Sequence, residues 1–85
     1  MGEKKFKKYL YDLGFVKSNQ HAIECFHSID YRKRFHLFKY EFVLNIDGFN
    51  IGCYFYNEYS DIFNKYMQKE IRRYKLKKIL SWFNY

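Results

Sequence analysis

The sequence predicts a single α+β domain: a helix, a three-stranded antiparallel β-meander and a long C-terminal helix, αβββα. Three observations lead there. Apolar residues recur at helical spacing at both ends of the chain, they alternate with period two between residues 22 and 56, and glycine or polar turn signals separate the two regimes. Residues 1–85 leave room for one modest hydrophobic core and for no second folded unit.

The first helix is expected from about Glu3 to Leu13, with Phe6, Tyr9, Leu10 and Leu13 on one side and Lys4, Lys5, Lys8 and Tyr11 on the other. Gly14 can take the left-handed conformation that ends a helix. Phe15, just beyond it, is placed to touch Leu10, as in a Schellman-type stop. Lys17-Ser18-Asn19-Gln20 then reads as a loop.

The first strand, about Ala22 to Asp30, alternates Ile23, Cys25, His27 and Ile29 against Glu24, Phe26 and Ser28. It is expected to pair with a strand starting near Arg34. A four-residue loop of Asp30-Tyr31-Arg32-Lys33 sets Glu24 opposite Lys39 and His27 opposite His36, whereas a shift by two would oppose Glu24 and Glu41, so the first register is preferred. Asp47-Gly48 supplies the positive φ values of a type I′ hairpin. From that turn Ile46 faces Phe49, Leu44 faces Ile51, Phe42 faces Cys53 and Tyr40 faces Phe55, all apolar pairs on one side of the sheet.

The last helix should run from about Glu58 to Trp82, with Tyr59, Ile62, Phe63, Tyr66, Met67, Ile71 and Tyr74 forming one broad apolar face. Beyond Tyr74 the stripe loses phase. Leu76, Ile79, Leu80 and Phe83 project from roughly the opposite side, which calls either for a bend or break near Tyr74-Lys75 or for a second surface that buries this set. That surface is a partner interface, including a homodimer, or the open side of the sheet.

Composition narrows the function classes. A quarter of the residues are aromatic, ten Tyr, ten Phe and one Trp, so a domain this small must leave rings at its surface. No apolar run reaches the roughly 18 residues of a membrane span, and Met1-Gly2-Glu3-Lys4-Lys5 leads into a charged amphipathic stretch rather than a signal-peptide core, so a cytoplasmic protein without a membrane partner is expected. Cys25 and Cys53 are too few for a disulfide scaffold. The absence of proline and the single Ala22 match AT-rich coding and point to a low-GC bacterium or its phage.

The net charge of +7 is segregated: residues 1–17 carry +3, residues 18–64 carry −2 and residues 65–85 carry +6. Lys65, Lys69, Arg72 and Arg73 follow an i, i+4, i+7, i+8 pattern that lines them up opposite the main apolar face. Arg32, Lys33 and Arg34 add a basic hairpin tip. A row of cations can track phosphates with release of counterions, so nucleic acid or a nucleoprotein complex is the expected partner. Phe26, Tyr54 and Tyr56, with Leu37 and Lys39, are expected on the other sheet face as a stacking platform for unpaired bases, unless the C-terminal segment covers them.

Catalysis and cofactors are not expected. His27, His36 and Cys25 share a sheet face but no ligand-spacing motif, Ser18, Ser28, Ser60 and Ser81 lack a nucleophile context, and four scattered glycines make no phosphate loop.

The order helix, three strands, helix is similar, at the level of topology, to that of the double-stranded-RNA-binding domain. The resemblance implies RNA contacts at the positions of Lys4, Lys5 and Lys8, of Arg32 to Arg34, and of Lys65 and Lys69. The chain departs from that family where the last helix begins, since Asn57-Glu58-Tyr59-Ser60-Asp61 is acidic. In style the small, ring-rich, AT-coded chain also resembles phage inhibitors of host defence, such as anti-CRISPR proteins, which act by docking on a host protein through aromatic and arginine anchors.

Overall fold

The computed structural model describes residues 2–20 and 23–83, without the side chains of Asn19, Gln20 and Phe83. The class is α+β as expected, but the sheet has five antiparallel strands rather than three. In order come α1 (Glu3–Asp12), β1 (Val16–Gln20), β2 (Ile23–His27), β3 (Lys33–Leu37), β4 (Glu41–Ile46), β5 (Phe49–Phe55), a 3-10 turn (Tyr56–Glu58), α2 (Tyr59–Tyr66) and α3 (Gln68–Phe83). The strands lie side by side in chain order.

Helix α1 stops where its glycine dictates. Gly14 has φ 90°, and the Phe15 N–H donates to the Leu10 carbonyl at 2.9 Å, the long bond of a Schellman stop. The Asp47-Gly48 hairpin also forms as its residues require, with φ of 54° and 84° and with Ile46 opposite Phe49.

The two additional strands have separate causes. Lys17-Ser18-Asn19-Gln20, read as a loop, belongs to edge strand β1 and pairs with β2, Ser18 opposite Cys25. An edge strand of polar residues carries no apolar alternation to betray it. The stretch from Arg34 to Ile46, read as one strand, is two. Phe35 and Leu37 occupy odd positions and Phe42 and Leu44 even ones, and all four are buried on the same side of the sheet. A continuous strand would point the two sets to opposite faces. A turn at Phe38–Tyr40, closed by the Phe38 N–H bonded to the Glu41 carbonyl at 2.8 Å, resets the phase. The Tyr56 hydroxyl donates to the Phe38 carbonyl and pins this turn; burial pushes that phenol well above its ordinary pKa.

The registers are corrected accordingly. Phe26 faces Phe35 and Glu24 faces Leu37, so neither pairing of Glu24 with Lys39 nor with Glu41 forms. In β5 a bulge between Leu44 and Asn45 on the partner strand shifts the ladder, leaving Leu44 opposite Gly52, Val43 opposite Cys53 and Glu41 opposite Phe55. The shift turns Tyr54 and Tyr56 inward and Cys53 and Phe55 outward. A Cβ on Gly52 would lie 2.6 Å from the Tyr54 hydroxyl oxygen, so the glycine gives that ring its place.

The core is built from rings. Phe6 of α1 stacks on Phe42 at 4.5 Å and meets Phe35 edge-on at 5.8 Å, and Phe63 of α2 packs on both Phe6 and Phe35. Each such ring contributes about 1.5–3 kcal/mol by burial, and each well-oriented pair about 0.5–1.5 kcal/mol more. The expected helical stripe is in place: Ile62, Phe63 and Met67 are buried, and Tyr59, Tyr66, Ile71 and Tyr74 pack around them.

The long C-terminal helix breaks at Met67, not near Tyr74-Lys75. Met67 has φ −112° and ψ 22°, and α3 then runs unbroken to Phe83. The break redirects the chain so that Glu70 reaches over the sheet to Lys33, at 3.0 Å, in a largely buried ion pair. With five strands and two closing helices, the topological resemblance to the double-stranded-RNA-binding domain does not hold.

A second ion pair ties α1 to the sheet. Lys7 Nζ lies 2.8 Å from one Glu24 oxygen and 2.7 Å from the other. Its hydrogen bond, opposed by burial, holds the Glu24 carboxyl below its ordinary pKa. A lowered folded-state pKa gives stability that is present above the unfolded value and lost as pH falls through the folded one. The urea midpoint of the wild type should therefore fall more steeply below about pH 4.3 than that of Glu24→Gln. Parallel acid profiles of the two would refute this contribution.

Candidate nucleic-acid interface

Tertiary structure sorts the expected cations into paired and free. At the hairpin tip Arg32 makes a bidentate contact with Asp47, Nε to Oδ1 at 2.8 Å and Nη2 to Oδ2 at 3.1 Å, and Lys33 is bound to Glu70. Arg34 is exposed, and of the three it alone makes no ion pair among the described residues. Lys4, Lys5 and Lys8 are exposed on α1, while Lys7 between them is held by Glu24 and Glu3.

The four cations of the C-terminal stripe are all exposed. The break at Met67 puts Lys65 on α2 and Lys69, Arg72 and Arg73 on α3. None makes an ion pair among the described residues; Lys65 Nζ instead sits 5.3 Å from the centre of the Tyr66 ring. Glu70, the one acidic side chain between residues 65 and 85, is committed inward to Lys33. The outer surface of α3, which also carries Lys75, Lys77 and Lys78, is left strongly positive, with no ion pair to these cations among the described residues.

Past Tyr74 the helix carries Leu76, Ile79, Leu80 and Trp82 with 56, 53, 51 and 83% of their surfaces exposed. None of them belongs to the buried core or to the partly buried hydrophobics packed against it. Phe83, expected with them, has its side chain outside the described residues.

The expected stacking platform is not at the surface. Phe26 and Tyr56 are buried core residues, and Tyr54 packs against the same core. The faces assigned to β2, and to the far end of β5, are inverted, because the largest rings went inward, Phe26 under Tyr11, Tyr54 against Phe42 and Tyr56 against Phe6. Helices α1 and α2, not the C-terminal apolar set, cover that side.

The side of the sheet away from the helices is polar and mixed. It is crossed by the row Val16, His27, Arg34, Asn45, Asn50 and the row Ser18, Cys25, His36, Val43, Cys53. Cys25 and Cys53 share this face with two strands between them, roughly 14 Å apart, too far for a disulfide; both are free thiols. His27 and His36 also lie on it, on neighbouring strands. No group of three His, Cys, Asp or Glu side chains among the described residues is placed to hold a metal ion.

Sequence reasoning missed Tyr31. The loop from Ser28 to Lys33 is closed by hydrogen bonds: the Ser28 hydroxyl donates to Asp30 Oδ1 at 2.6 Å, the Arg32 N–H donates to the same oxygen at 3.1 Å, and the Lys33 N–H donates to Ser28 Oγ at 3.0 Å. The Ser28 hydroxyl, then the Arg32 N–H, hold the Asp30 carboxyl below its ordinary pKa. Tyr31, at the centre, has φ 62°, a conformation that costs a bulky residue roughly 1–2 kcal/mol. Its ring lies flat on His27, centroids 4.3 Å apart and planes 14° from parallel. No pattern in the sequence signals this, since positive φ at a tyrosine is imposed by the closed loop.

Comparison with protein-family models, curated proteins and solved structures finds no match to this chain. No helix among the described residues is long and apolar enough to cross a membrane.

Proposed function

We propose that this is a small, non-catalytic, cytoplasmic binding protein that takes nucleic acid, or a nucleoprotein complex, on the cationic surface of its last two helices. One observation carries the reading: Lys65, Lys69, Arg72 and Arg73 are exposed without a carboxylate partner among the described residues, while the acid nearest to them in sequence is spent on Lys33. Charges that are paired internally need no ligand; these four make no ion pair among the described residues, and only Lys69 feels a nearby carboxylate, that of Asp30. Lys75, Lys77 and Lys78 extend the same field, and Lys4, Lys5, Lys8 and Arg34 add to it, whereas Arg32 and Lys33 leave the proposed contact set. The test is the affinity for duplex and single-stranded probes as a function of salt. Phosphate contacts make log affinity fall linearly with log salt; a flat dependence, or no binding at low salt, would reject the reading.

A second reading is favoured by the exposed Leu76, Ile79, Leu80 and Trp82. A host protein with an apolar, acid-rimmed groove matches both this cluster and the lysines beside it. A second copy of this chain would set lysine against lysine. Such docking is the mode of a phage-type inhibitor, including an anti-CRISPR. Leu76→Ser/Leu80→Ser should then abolish capture of that partner from a nuclease-treated lysate, and capture that disappears with nuclease would decide against it.

A further inference from the structure

We infer that the polar face of the sheet holds a single-strand subsite: Tyr31 stacks an unpaired base and Arg34 binds the adjacent phosphate. This deepens the nucleic-acid reading above and rests on it. Two grooves open on this face, both lined by strand and loop residues alone, and both bordered by Tyr31 and Arg34. One continues past His27 and Cys25 to Ser18, the other past His36 to Asn45. Tyr31 is therefore a ridge between them.

One face of its ring is occupied by His27, and with 60% of the residue exposed the other is open to solvent. His27 is fixed in turn, its Nδ1–H donating to the Ser28 carbonyl at 2.8 Å. A planar surface held rigid from behind and wet in front suits a nucleobase, because every base has a π-face and stacking needs no sequence match. Arg34 stands beside it with a fork of donors and no carboxylate partner among the described residues, the pairing geometry that phosphate accepts. His36 and Asn45 supply further polar contacts in the same groove.

The loop that carries Tyr31 borders the helix cations. Asp30, next to Tyr31, feels the charge of Lys69, and Ile29 and Asp30 share a cavity wall with Arg73. A strand whose phosphates follow Lys69 and Arg73 would reach Tyr31 across this loop. Only an unpaired strand can then insert a base, since the bases of a duplex are already stacked and paired.

The test uses fluorescence anisotropy with labelled oligo(U), oligo(dT) and a duplex of equal length, at one low salt concentration. Tyr31→Gly removes the ring and accepts φ 62° without strain, so the loop is preserved. It should weaken both single strands roughly tenfold and leave the duplex unchanged. Arg34→Gln, a surface change, should weaken the single strands more than the duplex. Unaltered single-strand binding in Tyr31→Gly, or an equal loss for duplex and single strands, would overturn the subsite while leaving the helix reading intact. Absence of binding by the wild type to all three probes would overturn both.

Discussion

Replacing Lys65, Lys69, Arg72 and Arg73 together by glutamine is expected to abolish nucleic-acid binding at physiological salt without disturbing the fold. Glutamine keeps the length of the stems and has nearly the helix propensity of lysine and arginine, so the helices should survive. The four side chains are exposed and make no ion pair among the described residues, and such surface changes alter stability by about 0.5 kcal/mol or less. Binding is different, because each lost phosphate contact takes about one unit from the salt slope. A wild-type protein using all four should lose about a hundredfold in affinity between 50 and 200 mM salt. The quadruple variant should show a slope shallower by three to four units, or no measurable binding. Equal slopes for the two proteins would move the contact surface elsewhere, to α1 or to the last turns of α3.

Lys33→Met is expected to be the most destabilising single polar substitution in the domain. The Lys33–Glu70 pair is largely buried, with side chains 18% and 10% exposed, and joins residues 37 apart in sequence. Removing one partner leaves a carboxylate in the interior with nothing to balance it, at a cost of about 3–5 kcal/mol. A domain of this size has roughly 4–13 kcal/mol in total, so a large fraction of the variant would unfold at moderate temperature. Lys33→Met/Glu70→Leu should recover most of the loss, because a well-packed apolar pair replaces buried charges at little or no net cost. Urea unfolding of wild type, both single variants and the double variant closes the cycle. A single variant that unfolds with the wild-type midpoint would show the pair to be ornamental. Hydrogen exchange in α3 offers a second readout, since Glu70 is its ionic tether to β3.

The four helix cations and the Lys33–Glu70 pair differ in how far they were legible in the sequence. That Lys65, Lys69, Arg72 and Arg73 lie on the outer side of the closing helices followed from their spacing, although the break at Met67 divides them between α2 and α3, because the apolar stripe from Ile62 to Tyr74 had to face inward. That Arg32 and Lys33 are spent on Asp47 and Glu70 did not follow, since those partners are 15 and 37 residues away. Tyr31 was illegible for a different reason, its position depending on a hydrogen-bonded loop rather than on any preference of tyrosine.

The fold divides along the same line. Local chemistry alone determined the Gly14 stop, the Asp47-Gly48 hairpin, the α+β class and the inward stripe of the closing helices, since each depends on backbone preference or on periodicity within a few residues. Tertiary structure alone decided which sheet face became the core, the turn at Phe38–Tyr40, the bulge in β5, the edge strand β1 and the break at Met67. Strands of Ile, Cys, Phe and Tyr are apolar on both sides, and alternation cannot rank the two. The choice fell to volume: Phe35, Phe42, Tyr56 and Phe63 fit around Phe6, and the backbone bent wherever their phase required it.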